Sequence, residues 1–353
     1  MLLFQTPIPR DIPLPLPMPE WLLVAVLVVA FLAHILFVNL MVGGTLFTFA
    51  AQIAGLKQKR YDLLGKEIAA TITVTKSLAV VLGVAPLLAI NALYTVYFYS
   101  ANALTGYAWI SIIPLVFTAF LILYYHKYSW DAYEGNRVRH IMILSIPLGI
   151  LLFVPLIFLA NINLMLFPDR WGDVKGFLTS LMVGNVFPRY FHFLASTIAV
   201  MGLFFAKYFD RKGFDLQERL PGFTRDEIQR ICYSLVLYAS VSQVLWGPFV
   251  LLTLPPQGLE WNLAYFLVPG VIAAGGAVYL LWQEMRSGRY GIQYWRIVML
   301  LTITVLCMGW TRHTYRANAL EEHRMLMQER TQQFEQQLRD SKSKGPVSTD
   351  RSR

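Results

Sequence analysis

Charged residues are scarce in this chain of 353 residues: Lys, Arg, Asp and Glu make up 14% of it, against 56% hydrophobic residues. This composition is far too apolar for a soluble domain of that length. The net charge of +9 does not indicate nucleic-acid binding, because most basic residues lie in short loops between apolar runs. We therefore predict an integral membrane protein that contacts lipid and not nucleic acid.

Cysteine is also scarce, and so are acidic residues deep inside the apolar runs. Cys232 and Cys307 are the two cysteines, both in or beside apolar runs, and two cysteines cannot form a disulfide framework. No CxxCH motif occurs, so no covalent haem c is expected. The glutamates of the apolar regions, such as Glu67 and Glu284, fall near span ends. This argues against a proton-coupled transporter or a proton-delivering oxygen site, which normally needs a carboxylate at depth.

Apolar runs long enough to cross a bilayer recur along the chain. A helix rises 1.5 Å per residue, so about 20 apolar residues cross about 30 Å of hydrocarbon. The predicted spans are 21–55, 68–99, 107–125, 140–166, 189–209, 230–254, 261–284 and 293–311. The runs are continuous rather than alternating, which disfavours membrane strands. We predict an all-α, polytopic bundle of about eight transmembrane helices, with residues 21–311 as the membrane domain.

The basic residues predict how the bundle is oriented. The loops after the first, third, fifth and seventh spans hold 16 Lys and Arg residues. The opposite side has far fewer, at Arg10, Arg170, Lys175 and Arg189. Because short basic loops stay in the cytoplasm, both termini are predicted to lie outside.

Two terminal segments flank the membrane domain. Residues 1–20 contain six prolines, which predict an extended outer segment. Residues 312–340 predict a charged outer helix, and residues 341–353 a disordered tail. The helix has an apolar residue every seven positions, at Leu320, Met327 and Phe334. Such a stripe indicates a helix that either lies along the protein or docks an extramembrane partner.

Histidine is the residue type with the clearest chemical meaning here. His34 and His192 lie inside the first and fifth spans, where an imidazole loses water and needs a hydrogen bond, a charge or a metal. Two such spans are what a non-covalent haem site requires, although a hydrogen bond to a neighbouring helix explains the pattern equally well. His126 and His140, at cytoplasmic helix ends, predict interfacial roles, and His323 on the tail helix is expected to face solvent.

Five short segments match helices of one known family in chain order. They are HILFVNLMVGG at His34, KSLAVVLGVAPLL from Lys76, FLANINLMLFPDRW, RYFHFLAS at His192, and MGWTRHTYR. They resemble the first, second, fourth, fifth and eighth helices of subunit I of the cytochrome bd quinol oxidases. The resemblance implies that His34 and His192 ligate haem iron, with His192 an axial ligand of a low-spin haem b.

The chain departs from that family at several positions. The family's low-spin haem takes a methionine from the seventh helix, yet NLAYFLVPGVIAAGG contains none. The third-helix glutamates that serve the oxygen site are missing from SIIPLVFTAF, and Cys307 stands where the family has a haem-ligating glutamate. The quinol-binding loop is reduced to LPPQGLEWN, and the ninth helix is missing. We therefore expect a shortened relative that does not reduce oxygen.

The group that replaces the missing methionine is left open by the sequence. His313, Met308 and Met165 all reach the outer level of His192 in the predicted topology. His313 is the best candidate by chemistry, because imidazole is a common axial ligand of haem iron.

The resemblance implies an oxidoreductase subunit of a bacterial respiratory chain, located in the inner membrane. It would be a b-type cytochrome with one or two haems b that moves electrons between quinol and an outer c-type cytochrome, with the tail helix docking that partner. The alternative is a haem-free membrane anchor or assembly subunit, in which His34 and His192 pair with neighbouring helices. A small-molecule transporter fits the span count but gains little from a chain without an internal repeat.

Overall fold

The computed structural model describes residues 16–343 of the chain, except for the side chains of residues 74–77, 338 and 341–343. Within this part, twelve α-helices and no β-strand are present. The helices are α1 (Glu20–Gly55), α2 (Lys59–Leu93), α3 (Thr95–Thr105), α4 (Tyr107–Tyr128), α5 (Arg137–Leu164), α6 (Phe177–Ser180), α7 (Val186–Asp210), α8 (Leu216–Arg219), α9 (Arg225–Leu252), α10 (Ala264–Ser287), α11 (Tyr294–Ala319) and α12 (Glu321–Ser343). The predicted all-α class is confirmed.

Seven of the described helices are long and apolar enough to cross a membrane, namely α1, α4, α5, α7, α9, α10 and α11. Helix α2 is apolar in two parts, Lys59–Thr73 and Leu78–Leu93, which meet at a bend of 46° and make an eighth crossing if they form one span. The chain is thus a multi-pass membrane protein. Eight crossings bring both ends of the bundle to one face. The scarcity of basic residues in its loops predicts that this is the outer face, and we refer to it as the outer end.

Helix α1 lies at the centre of the bundle and contacts α2, α5, α7 and α11. Its 36 residues extend over ~54 Å, well beyond the hydrocarbon core. Gly43 lies against the backbone carbonyl of Thr197 on α7, and Gly44 lies against the side chain of Ile72 on α2. A Cβ atom at either glycine would collide with its neighbour, so this pair allows three helices to approach closely.

A layer of short helices and aromatic side chains covers part of the outer end. Helix α3 belongs to this layer, together with the 3₁₀ turn Pro168–Asp173, and their Tyr97 and Trp171 are buried. Helix α12 folds back onto the layer, with Leu320 fully buried and Met327 packed against the same apolar cluster. The apolar stripe of the tail helix therefore lies along the protein.

The boundary between the last span and the outer helix differs from the one predicted. The sequence places it after residue 311, whereas α11 continues to Ala319 and α12 begins at Glu321. The stretch TRHTYRANA contains neither glycine nor proline, so nothing in it ends the helix earlier. The Pro-rich segment and the disordered tail predicted for residues 1–20 and 341–353 lie mostly outside the described residues.

Ion pairs fasten the cytoplasmic ends of the spans to one another. Arg137 at the start of α5 contacts Asp62 of α2 at 2.8 Å, and Asp62 also accepts a hydrogen bond from the indole nitrogen of Trp130. Arg60 of α2 contacts Glu227 of α9 at 2.8 Å. Because Asp62 is almost fully buried, its pairing with Arg137 offsets the cost of taking both charges out of water.

Candidate functional site

His34 is held between α1 and α2 by a hydrogen bond across the helix pair. Its ring nitrogen Nδ1 lies 2.7 Å from the backbone carbonyl of Ala79, and a carbonyl can only accept, so Nδ1 carries the proton. The other ring nitrogen, Nε2, then has a free lone pair. This arrangement, in which one nitrogen donates to a carbonyl and the other is available, is the one that metal-ligating histidines usually adopt.

A glycine on α2 makes room for the His34 ring. A Cβ atom built on Gly83 would lie 2.9 Å from Cε1 of His34 and 3.0 Å from Nδ1. Those distances are too short for a real side chain, so residue 83 must lack one for the ring to keep its place. The position of the imidazole is therefore set by two residues one helical turn apart, Ala79 and Gly83.

His192 lies on α7, half-buried, with an unsatisfied ring nitrogen. Its Nδ1 is buried and has no hydrogen-bond partner among the described residues. The backbone carbonyl of His192 accepts a hydrogen bond of 3.1 Å from the side chain of Gln243 on α9, whose own Oε1 is also buried and unpartnered. Buried polar atoms without partners are costly, and these two leave His192 and Gln243 free to bond a group outside the polypeptide.

Both histidines lie in the outer half of the bundle. Helices α1 and α7 run in the same direction and touch where Gly43 meets Thr197. His34 is nine residues outward of Gly43, which is ~14 Å, and His192 is five residues outward of Thr197, which is ~8 Å. The two imidazoles thus differ in depth by about 6 Å.

The other predicted ligands occupy different surroundings. His313, on the outer part of α11, is half-buried beside Trp310, and its Nδ1 is buried without a partner among the described residues. The methyl group of Met308 lies against Gly270 on α10. Met165 is fully buried in the outer apolar cluster. The second axial ligand therefore stays a prediction, with His313 the candidate that has a free polar atom.

Three further histidines are more buried than the sequence predicted. His126 and His140 lie at the helix ends predicted for them, but both are fully buried, and their rings stack at 3.9 Å between centroids. Gln52 joins them, because its amide nitrogen donates to Nδ1 of His140 and its oxygen accepts from Nε2 of His126. His323, expected to face solvent, is half-buried and hydrogen-bonded to Tyr97 at 3.0 Å. That expectation was wrong because α12 folds onto the outer layer.

The donor set fits a haem better than a free metal ion. No group of three or more His, Cys, Asp or Glu side chains comes together in residues 16–343 in a way that could hold an ion. A haem iron already has four porphyrin nitrogens and takes only one or two axial ligands from the protein. The free lone pair of His34 and the unpartnered nitrogen of His192 could each supply one such ligand.

Comparison with known proteins places the fold. No family profile matches the chain, and no curated protein does either. Among solved structures, a chain of the bd oxidase from Geobacillus thermodenitrificans is similar, with a TM-score of 0.66 and 14% sequence identity over 85% of this chain and 87% of that chain. The chain thus has the fold of a cytochrome bd oxidase subunit, as its sequence resemblance predicted. At 14% identity the similarity is evidence for the fold alone.

The sequence did not predict a group of arginines that lies beside the histidines. Arg189, Arg312 and Arg316 cluster at the outer ends of α7 and α11, close enough for their charges to repel one another. The sequence placed Arg312 and Arg316 in the charged outer helix. Their spacing of four residues places them on one helix face, which was the available signal.

Proposed function

We propose that this chain is a b-type cytochrome subunit that carries electrons between membrane quinol and a c-type cytochrome on the outer side of a bacterial inner membrane. The observation that supports this most directly is the geometry of His34, whose Nδ1 proton is fixed by Ala79 so that Nε2 is free for iron. A haem b bound there would supply one-electron transfer. The likeness in fold to a bd oxidase is consistent with such a role.

The chain's own residues have separate tasks in this proposal. His34 and His192 each ligate haem iron, in a bundle that holds one or two haems. His313 or Met308 is the second axial ligand at His192. Gly83 keeps the His34 ring in place. Since both histidines lie in the outer half, an electron needs to travel only a short way to a partner outside, and quinol protons leave on the same side. The apolar stripe of the outer helix α12 packs on the protein, so its exposed charged face is the proposed docking surface for the c-type partner.

A reduced-minus-oxidised visible spectrum of the purified chain tests this proposal. Protein from cells supplied with a haem precursor is expected to show a b-type signal, and a pyridine haemochrome assay counts the haems. His34→Ala and His192→Ala should each remove haem, whereas His323→Gln, on the outer helix, should not. Haem-free wild-type protein, or unchanged haem content in both alanine variants, would contradict the proposal.

The alternative function is a membrane anchor or assembly subunit without haem. One observation favours it: the hydrogen bond to Ala79 already satisfies one His34 nitrogen without any metal. In that case His34→Ala would lower the thermal stability of the bundle and leave the redox activity of the assembled complex unchanged. The same spectrum distinguishes the two functions, because an anchor shows no haem bands even when haem is supplied.

A further inference from the structure

The three outer arginines are positive charges without a counter-charge. Among the residues whose side chains are described, no carboxylate lies within 4.0 Å of the guanidinium groups of Arg189, Arg312 or Arg316, although other basic residues do form such ion pairs. Arg316 is only 6% exposed, and its Nε has no hydrogen-bond partner. Nη1 of Arg189 is buried and unpartnered too. The protein alone leaves this cluster unsatisfied.

Aromatic rings contact two of the three arginines but do not neutralise their charge. The guanidinium carbon of Arg312 lies 5.7 Å from the ring centroid of Phe31, and that of Arg316 lies 5.1 Å from the ring of Tyr94. Such contacts offset only part of the cost of burying a cation. An arginine cannot lose its proton to escape that cost. Three of them together, with Arg316 buried and Arg189 and Arg312 half-buried, therefore indicate that an anion belongs there.

The cluster lies about one helical turn outward of both candidate haem ligands. Arg189 precedes His192 by three residues on α7, so the two side chains share a helix face. Phe31, which Arg312 covers, precedes His34 by three residues on α1 in the same way. A molecule that is ligated by either histidine and extends outward would bring its outer edge to the arginines.

We propose that this arginine cluster binds the two carboxylates of the haem, an inference that rests on the proposed function. Arginine presents a planar fork of N–H donors that matches a carboxylate, and such charge-assisted pairs are strong. The burial of Arg316 argues for an anion carried on a group that fills the interior of the bundle rather than for a lipid phosphate, which would need an opening to the membrane surface. The arginines thereby orient the haem so that the edge carrying its two carboxylates faces the outer end.

Reconstitution of haem-free protein with haem b and with its dimethyl ester tests this inference, because the ester lacks both carboxylates. Wild-type protein should bind haem b at least about tenfold more tightly than the ester, the size expected from losing a charged hydrogen bond. Arg316→Gln and Arg189→Gln should weaken the binding of haem b and leave the ester nearly unchanged. Arg296→Gln, an exposed arginine at the cytoplasmic end of α11, is the matched control and should bind both as the wild type does.

Redox titration supplies a second readout that does not depend on binding strength. A positive charge near the iron favours the reduced state, so Arg312→Gln should lower the midpoint potential, whereas Arg312→Lys, which keeps the charge, should shift it less. A wild-type protein that binds haem b and its ester equally well would overturn this inference alone. A wild-type protein that binds no haem would overturn the proposed function, so the two failures are distinguishable.

Discussion

At the scale of single residues, small side chains decide what the larger ones can do. His34 keeps its ring in place because residue 83 has no Cβ, and Gly43 and Gly44 let α1 approach two other helices at once. These positions carry no charge and no reactive atom. Their contribution is space, which in a closely packed interior is as specific as a hydrogen bond.

Gly83→Ala should displace the His34 imidazole, since the new Cβ would lie 2.9 Å from its Cε1. We expect loss or spectral shift of the haem bound at His34, with about tenfold weaker binding if the lost ligand geometry costs about 1.4 kcal/mol. The haem at His192 should keep its spectrum. Gly275→Ala on α10 is the control, because a Cβ there meets nothing within 4 Å. An unaltered spectrum in Gly83→Ala would remove Gly83 from the site.

The second residue-scale case is the stacked pair of imidazoles at the cytoplasmic end. Gln52 bonds to both His126 and His140, so Gln52→Ala leaves two buried ring nitrogens unsatisfied. We expect the free energy of unfolding to fall by about 1–3 kcal/mol, the usual cost of such groups. Haem content should not change, because the pair lies far from the outer histidines. Thermal unfolding in detergent measures the loss, and Gln217→Ala, an exposed residue, should show none.

At the scale of elements, a titratable group contributes to the placement of the outer helix α12. His323 bonds to Tyr97, its Nε2 is buried without a partner in the described part of the chain, and its ring packs near Trp171. Burial lowers the pKa of His323 below its usual 6.5, an effect that nearby Asp169 opposes in part. The docked helix therefore holds His323 in its neutral form.

The packing of α12 on the outer layer, here called its docked state, should consequently weaken in acid. The undocked histidine takes up a proton near pH 6.5 and the docked one only at lower pH, so the docked state loses stability as the pH falls from 6.5 towards the lower value. Above pH 7 no dependence is expected. Hydrogen exchange of α12 amides at pH 7.5 and pH 5.0 measures this, with faster exchange expected at pH 5.0 after correction for intrinsic rates. In His323→Gln, which can still bond to Tyr97, the difference between the two pH values should vanish.

At the scale of the whole molecule, hydropathy predicted the all-α class and the apolar crossings, because each depends on one helix at a time, whereas the orientation read from loop charge stays a prediction. The features that the sequence did not predict depend on which helix faces pack against each other. The burial of His126 and His140 follows from α4 packing on α5, and the half-buried His323 follows from the return of α12. The arginine cluster likewise forms only when α7 and α11 bring their outer ends together.

The orientation of the bundle is the prediction on which the proposed outer partner depends. Because the basic loops should stay in the cytoplasm, Met325→Cys on α12 should react with a membrane-impermeant maleimide in intact cells, and Arg289→Cys, in the loop between α10 and α11, only after lysis. The background variant lacks both native cysteines, of which Cys232 is buried and Cys307 lies within a span. The reverse pattern of labelling would place His34, His192 and the arginines in the cytoplasmic half. An electron partner would then have to dock from inside, so this experiment decides the side on which any c-type cytochrome is sought.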